Sequence, residues 1–364
     1  MDYLVKATSI RELIALIDIN KIDLKPPYQR NFIWSPNDQK SLIDSILKKY
    51  PLPSFFLYQK PDGGYEMVDG QQRSRTIYRF WKGLIQSSDK RSISDIDEEI
   101  LLNYKLNWSI ISNLNSTDSL EDFYVLVNKS GKHLNTPELF KAGYHNTKFL
   151  ALVEELLNLQ TMIDLNLFTV ANSKRMNDRS FIEELVAYLK VGITDKKLII
   201  EKIYEIDVND TDCDYLRNRF VNIIDKISLL NNYHAINKTR FKQKNDFYTL
   251  FNFVNENIKL DDDIFLYQYK ILLLIAPFIK PSNDECEPLK DYALNCVSQS
   301  NSKNARNERL NFLNDVLKNQ NKDGNDTLIA VQEFLEMKFG ISNTELKLIE
   351  EFQLIDVESF SNPV

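Results

Sequence analysis

Cysteine, histidine and glycine are all scarce in this 364-residue chain, and each scarcity removes a class of function. The three cysteines, Cys213, Cys286 and Cys296, are odd in number and widely spaced, a pattern of reduced thiols rather than of a disulfide frame or a zinc site. The three histidines, His133, His145 and His234, leave the C-terminal hundred residues with none, so no His-based metal centre can be built there. Among the few glycines none falls in a Walker-type phosphate loop, and only Gly324 and Gly340 lie beyond residue 200. Long apolar runs are also missing. The longest, Ile271 to Ile279, contains Pro277 and falls far short of the roughly 20 residues that cross a bilayer. The first residues, Met1 to Lys6, show no signal-peptide pattern, so the expected location is the cytoplasm. No repeat of 20–50 residues is present.

What remains is an ordinary globular composition, 43% hydrophobic, with length enough for two domains. The net charge of −7 excludes a uniformly basic coat for nucleic acid. Its distribution is uneven. Residues 1–83 hold 13 Lys and Arg against 9 Asp and Glu, a balance of +4, which leaves −11 for the rest of the chain. The anion-seeking part is the N-terminal one.

Helix and strand signals alternate over the first 83 residues. Ser9 and Glu12 have capping-box spacing ahead of Ile10, Leu13, Ile14 and Ile17. Lys21 to Lys25 reads as a short strand closed by Pro26-Pro27. Ser35-Pro36 opens a second helix whose apolar face is Leu42, Ile43, Ile46 and Leu47, and Pro51 and Pro53 follow it. Ser54–Gln59 and Tyr65–Val68 read as a hairpin joined by the turn Pro61-Asp62-Gly63-Gly64. From about Ser116 the pattern turns helical: Asp118 to Lys129, Pro137 to Gly143 with Thr136 as cap, and Ser180 to Lys190. Glu336-Met337-Lys338 and Glu345-Leu346-Lys347 have the Glu-x-Lys spacing of some metal-dependent nucleases, but each lies in an amphipathic pattern that reads as a structural helix.

The most informative stretch follows the hairpin. A strand ends in Asp69-Gly70-Gln71-Gln72-Arg73, and Ile77, Tyr78, Phe80 and Trp81 then recur at helical spacing until Gly83. Unpaired backbone N–H groups at a helix start carry positive partial charge, so this junction offers a phosphate site, with Arg73, Arg75, Arg79 and Lys82 adding to the field. Gln29-Arg30, after a Pro-rich turn, offers a second basic clamp. Each residue also has a plainer use. Asp69 can cap the helix, Gln71, Gln72 and Arg73 can be ordinary surface residues, Gln29 and Arg30 can tie a loop to the sheet, and Arg75 and Arg79 can form a solvated face. Phe32, Trp34, Tyr78, Phe80 and Trp81 read as core rather than as base-stacking groups.

Pro27-Tyr28-Gln29-Arg30, the helix after Ser35-Pro36, Pro51-Leu52-Pro53 and the Asp69-Gly70-Gln71-Gln72-Arg73 junction, in that order, resemble the GmrS-like N-terminal domain of GmrSD-type restriction proteins. Phe123 to Gly131, with Asn128, followed by Leu134 and Glu138, resembles that family's Asn-x-x-Gly segment. The resemblance runs over roughly residues 8–145. It implies an α+β architecture: a ParB/sulfiredoxin-like domain with a small mixed sheet over 1–145, then a mostly α-helical domain over 146–364 that contacts DNA or a partner. The activity it implies is Mg²⁺-dependent binding and hydrolysis of a nucleoside triphosphate in defence against foreign or modified DNA. Asp69, Gln71, Gln72 and Arg73 would then be catalytic, Gln29, Arg30, Gly70, Arg73, Arg75 and Asn128 would hold the nucleotide, and Asp69 and Asn128 would hold the metal. DNA and a separate nuclease or defence protein are the implied partners, with no membrane. The histidine shortage departs from relatives that carry a His-based nuclease domain, so cutting would come from a partner. A non-hydrolysing module that recognises DNA or protein is the other reading.

Overall fold

The computed structural model describes residues 1–29, 31–115, 118–128 and 135–360. The chain divides into two compact units, residues 1–145 with 170–177, and residues 146–169 with 178–364.

The first unit is α+β. Its elements are β1 (Asp2–Ser9), α1 (Ile10–Asp18), β2 (Ile22–Asp23), α2 (Pro36–Leu47), β3 (Phe55–Gln59), β4 (Tyr65–Asp69), α3 (Gln71–Trp81), α4 (Glu98–Leu102), β5 (Lys105–Asn113), α5 (Leu120–Val127) and α6 (Thr136–Tyr144). The strands form one mixed sheet in the order β1-β5-β3-β4-β2. The β3–β4 hairpin is antiparallel, as is β1 against β5, whereas β3 runs parallel to β5 and β2 parallel to β4.

Alternation along the strands places side chains on two cores. Phe55 and Leu57 of β3, Met67 of β4, and Leu106, Trp108 and Ile110 of β5 face one of them, which Leu13 of α1, Ile43 and Ile46 of α2, and Ile77 and Phe80 of α3 complete. Val68 and Ile111 lie in the second core with Tyr28, Tyr124 of α5 and Ala142 of α6. Within β4 the neighbours Met67 and Val68 are therefore both fully buried, one in each core. The strand is fixed from both sides at the point where it delivers Asp69.

Caps set the helix starts. Ser35 closes a full capping box with Asp38, with Pro36 in the first turn. Ser9 accepts from the Glu12 N–H, but the Glu12 carboxylate turns to Thr8 and Lys6, so only half of that box forms. Ser119 caps α5. For α6 the cap is Asn135 rather than Thr136, because its amide oxygen accepts the Glu138 N–H while the Glu138 carboxylate returns to the Asn135 N–H. The strand expected over Lys21–Lys25 shrinks to the two residues Ile22 and Asp23.

In the second unit long helices dominate, among them Asp210–Tyr233, Lys244–Glu256, Asp262–Ile275 and Lys303–Leu317. The helix expected over Ser180–Lys190 starts earlier and spans Asn177–Val191, with Asn177 at its first position. One expectation fails. Glu345-Leu346-Lys347 does not lie in a helix: Leu346–Ile349 is a strand, β6, paired antiparallel with β7 (Phe352–Ile355). Gly340, in left-handed backbone, ends helix Asp326–Phe339, and β-branched and alternating residues then favour the hairpin. Glu336 of that helix accepts both the N–H and the hydroxyl of Thr344, at 2.6 Å each, and so ties the helix end to the hairpin. These bonds hold the Glu336 carboxyl below its usual range. A depressed carboxyl stabilises the fold above its ordinary pKa and loses that contribution as pH falls through the folded value. Glu336→Ala should therefore lower stability by about 1 kcal/mol near neutrality, and the difference from the parent protein should vanish in acid. Denaturant titrations at two pH values check this.

Candidate functional site

The residues that carry the Asp69 junction converge on one cavity of about 540 Å³, within the range of small-ligand sites. Gln29, Asp69, Gly70, Gln71, Gln72 and Arg73 all line it, and so does Asn128, some sixty residues further along the chain. Helix α2 forms another wall.

Helix α3 begins at the cavity. Gly70 is its N-cap, in backbone with φ 111° and ψ 1°, and no side chain caps it. A Cβ at Gly70 would stand 2.4 Å from Cδ1 of Phe55, so glycine is required by sterics as well as by dihedral angle. The uncapped first turn leaves backbone donors and the positive end of the helix dipole for an anion.

The two glutamines and the arginine, expected as phosphate contacts, make their described hydrogen bonds inside the chain. Gln71 Nε2 donates to the Leu24 carbonyl at 2.7 Å. Gln72 Oε1 accepts the Ile33 and Trp34 N–H groups at 2.9 and 3.3 Å, and its Nε2 donates to the Asn31 carbonyl. Gln29 Nε2 reaches the carbonyls of Met67 and Val68. These three amides staple the loop between β2 and α2 onto β4 and α3, and all three are buried. Arg73, only 9% exposed, donates to the carbonyls of Pro53 and Ser54 and to Asp69 Oδ2 at 2.8 Å, with its guanidinium 4.3 Å over the Phe55 ring. Burial lowers its pKa and Asp69 opposes that shift. The side chains of the junction thus hold its loops together around the cavity that Asp69 and Gly70 line.

Arg75 does not line the cavity. It lies near Asp23, with its pKa lowered by burial. Arg79 stands 5.8 Å from the Phe32 ring. Arg30 and His133 lie outside the described residues. Of the aromatics, Phe80 is fully buried and Trp34, Tyr78 and Trp81 are half-buried against the first core, as a core role requires. Trp34 also lines the cavity.

Asn128 terminates α5 and donates from Nδ2 to the Tyr124 carbonyl at 2.9 Å, which turns its Oδ1 into the remaining acceptor. Asp69 Oδ1 and Asn128 Oδ1 are hard oxygen donors of the kind Mg²⁺ takes, and a site with few protein ligands suits an ion that keeps waters and phosphate oxygens. Among the described residues, no group of three or more His, Cys, Asp or Glu is placed to hold a metal ion. Asp69 and Asn128 would fit a Mg²⁺ that takes its other oxygens from water and a phosphorylated ligand.

One wall was missed from sequence. Asp38, Ser41, Leu42 and Ser45 of α2 line the cavity, spaced i, i+3, i+4 and i+7 along one helix face. That spacing is a readable signal, and it was masked by the apolar face of the same helix.

Residues 10–145 match the model of the GmrSD restriction endonuclease N-terminal domain. The match covers the cavity and every residue assigned to it above. Neither the curated proteins nor the solved structures compared with the chain give a match. No described helix is long and apolar enough to cross a membrane.

Proposed function

We propose that residues 1–145 bind a nucleoside triphosphate in this cavity and hydrolyse it with Mg²⁺, and that the nucleotide state controls action on foreign or modified DNA in a restriction system. The observation that carries this reading is the convergence of the uncapped α3 start, Asp69 and Asn128 on one cavity. Similarity to the GmrSD N-terminal domain supports the defence role and a nuclease partner that does the cutting. The ParB-like character of the fold rests on the order of the motifs. Backbone N–H groups of α3 bind the phosphates, Asp69 and Asn128 would hold the cation, and Gln29, Gln71, Gln72 and Arg73 keep these groups in place. A bound Mg²⁺ neutralises charge on the phosphate oxygens. DNA is the proposed partner, and the helical domain over 146–364 its proposed contact.

Phosphate release measured with ATP, GTP and CTP in turn, with and without Mg²⁺ and modified or plain DNA, tests the proposal. Asp69→Asn keeps an acceptor for Arg73 but loses the charge, so turnover should fall by about 100-fold or more while nucleotide binding persists. Asn128→Ala should show a milder form of the defect. The double variant should be impaired less than additively if both act through one ion. Identical Mg²⁺ dependence in all of these proteins would favour the second reading, a recognition module without turnover.

A further inference from the structure

Strand β1 occupies one end of the five-stranded sheet, and β5 is its sheet partner on the other side, so among the described residues one of its edges carries no strand. Its register with β5 is regular from Tyr3 to Ser9, and the one irregularity adds Ser112 on the β5 side. Three consecutive large apolar residues are exposed along it: Tyr3 at 67%, Leu4 at 47% and Val5 at 67%. Since neighbours in a strand point to opposite faces, both faces of the sheet are uncovered at this margin. A long, regular edge of this kind is a template for another strand, and proteins commonly guard such edges with charge.

The guard here has its complement in the same strand. We propose that β1 pairs antiparallel with β1 of a second copy, about a two-fold axis at Leu4. In that register Leu4 meets Leu4 of the other copy, Tyr3 meets Val5, and Asp2 meets Lys6, each heterotypic pair occurring twice. Directly opposed residues share a face, so apolar side chains cover one another on both sides of the extended sheet and opposite charges close its ends. A shift of two residues either way removes both charge pairs. Lys6 bonds Glu12 at 2.7 Å and Asp2 accepts from Asn113 at 3.2 Å, both at exposed positions where such pairs are weak and exchangeable. The occupant is thus a second copy of this chain, chosen by the strand's own charge pattern.

Sedimentation equilibrium of the full chain should show a monomer–dimer equilibrium. Asp2→Lys alone, or Lys6→Asp alone, sets like charges opposite each other twice and should weaken the dimer roughly tenfold or more. The double variant Asp2→Lys/Lys6→Asp should restore it. Leu4→Cys should form an intermolecular disulfide on mild oxidation, because opposed residues in an antiparallel pair lie about 4.5–5.5 Å apart at Cα, inside the disulfide range. The parent protein, whose Cys213 and Cys286 are buried and whose half-buried Cys296 sulfur lies against Arg240 and Asp246, should not crosslink under the same conditions. A chain that stays monomeric throughout, or a dimer indifferent to the single reversals, overturns the proposal. So does capture of the β1 edge by a strand of a different protein.

Discussion

Arg73→Ala should cost the first unit about 3–5 kcal/mol of stability, the usual scale for removing one partner of a buried ion pair. Three acceptors lose their donor at once: the carbonyls of Pro53 and Ser54 and the Asp69 carboxylate. The stack on Phe55 is lost as well. Asp69 is about a third exposed, so water recovers part of its solvation and the lower end of the range applies to that component. The two carbonyls bound the loop after α2, and their loss of a donor should loosen that loop as well as weaken the core. Arg73→Lys should recover little, since one ammonium cannot reproduce a planar fork that serves two carbonyls and a carboxylate. Chemical denaturation of the variant checks this, monitored by far-UV circular dichroism. A loss below about 1 kcal/mol would place Arg73 among surface residues. The same experiment guards the functional test. A fall in nucleotide affinity for Arg73→Ala is evidence of phosphate contact only if the fold survives.

Much of this cradle is legible in the sequence. The hairpin, the turn between its strands, and the strand-to-helix junction at Gly70 all follow from local rules, because two glycines in a turn and one at a helix start leave few alternatives. Joining Asp69 to Asn128 needed the family resemblance, since a contact across sixty residues has no local signature. Strands β1 and β5 differ in how plainly the sequence marks them. In β1 the sequence Tyr3-Leu4-Val5 breaks the alternation that marks a half-buried strand, because its edge position leaves both faces exposed. In β5 the alternation of Leu106, Trp108 and Ile110 with Asn107 and Ser109 is clean and carries the period of a strand. What sequence did not disclose is the direction of the side chains at the junction. Amides and an arginine beside a helix start suit phosphate, but they suit backbone carbonyls equally well, and the loops before and after α2, with Leu24, Asn31, Ile33 and Trp34 in one and Pro53 and Ser54 in the other, supply those carbonyls and N–H groups in numbers.

The tightest constraint on the cradle is at Gly70, and Gly70→Ala should destabilise the protein by about 2–6 kcal/mol through two separable terms. The first is conformational: at φ 111° an L-residue lies beyond the usual left-handed basin, which costs about 1–3 kcal/mol. The second is steric. A methyl 2.4 Å from Phe55 Cδ1 cannot be accommodated without displacing a fully buried ring, and overpacking of this kind costs about 1–3 kcal/mol. Phe55 also underlies the Arg73 guanidinium, so a displaced ring disturbs the fork that orients Asp69. Combining Gly70→Ala with Phe55→Val separates the terms. Removing the ring relieves the clash but leaves the dihedral strain, so the two substitutions should couple favourably by about 1–3 kcal/mol in a double-mutant cycle. Full additivity would mean that the ring moves aside freely and that only the backbone term matters. Function should follow the same split. If the α3 N–H groups bind phosphate, a variant whose ring has been displaced should lose nucleotide affinity even where it remains folded. In the double variant, part of that affinity should return together with the stability, because the clash between a Cβ at residue 70 and the Phe55 ring is gone.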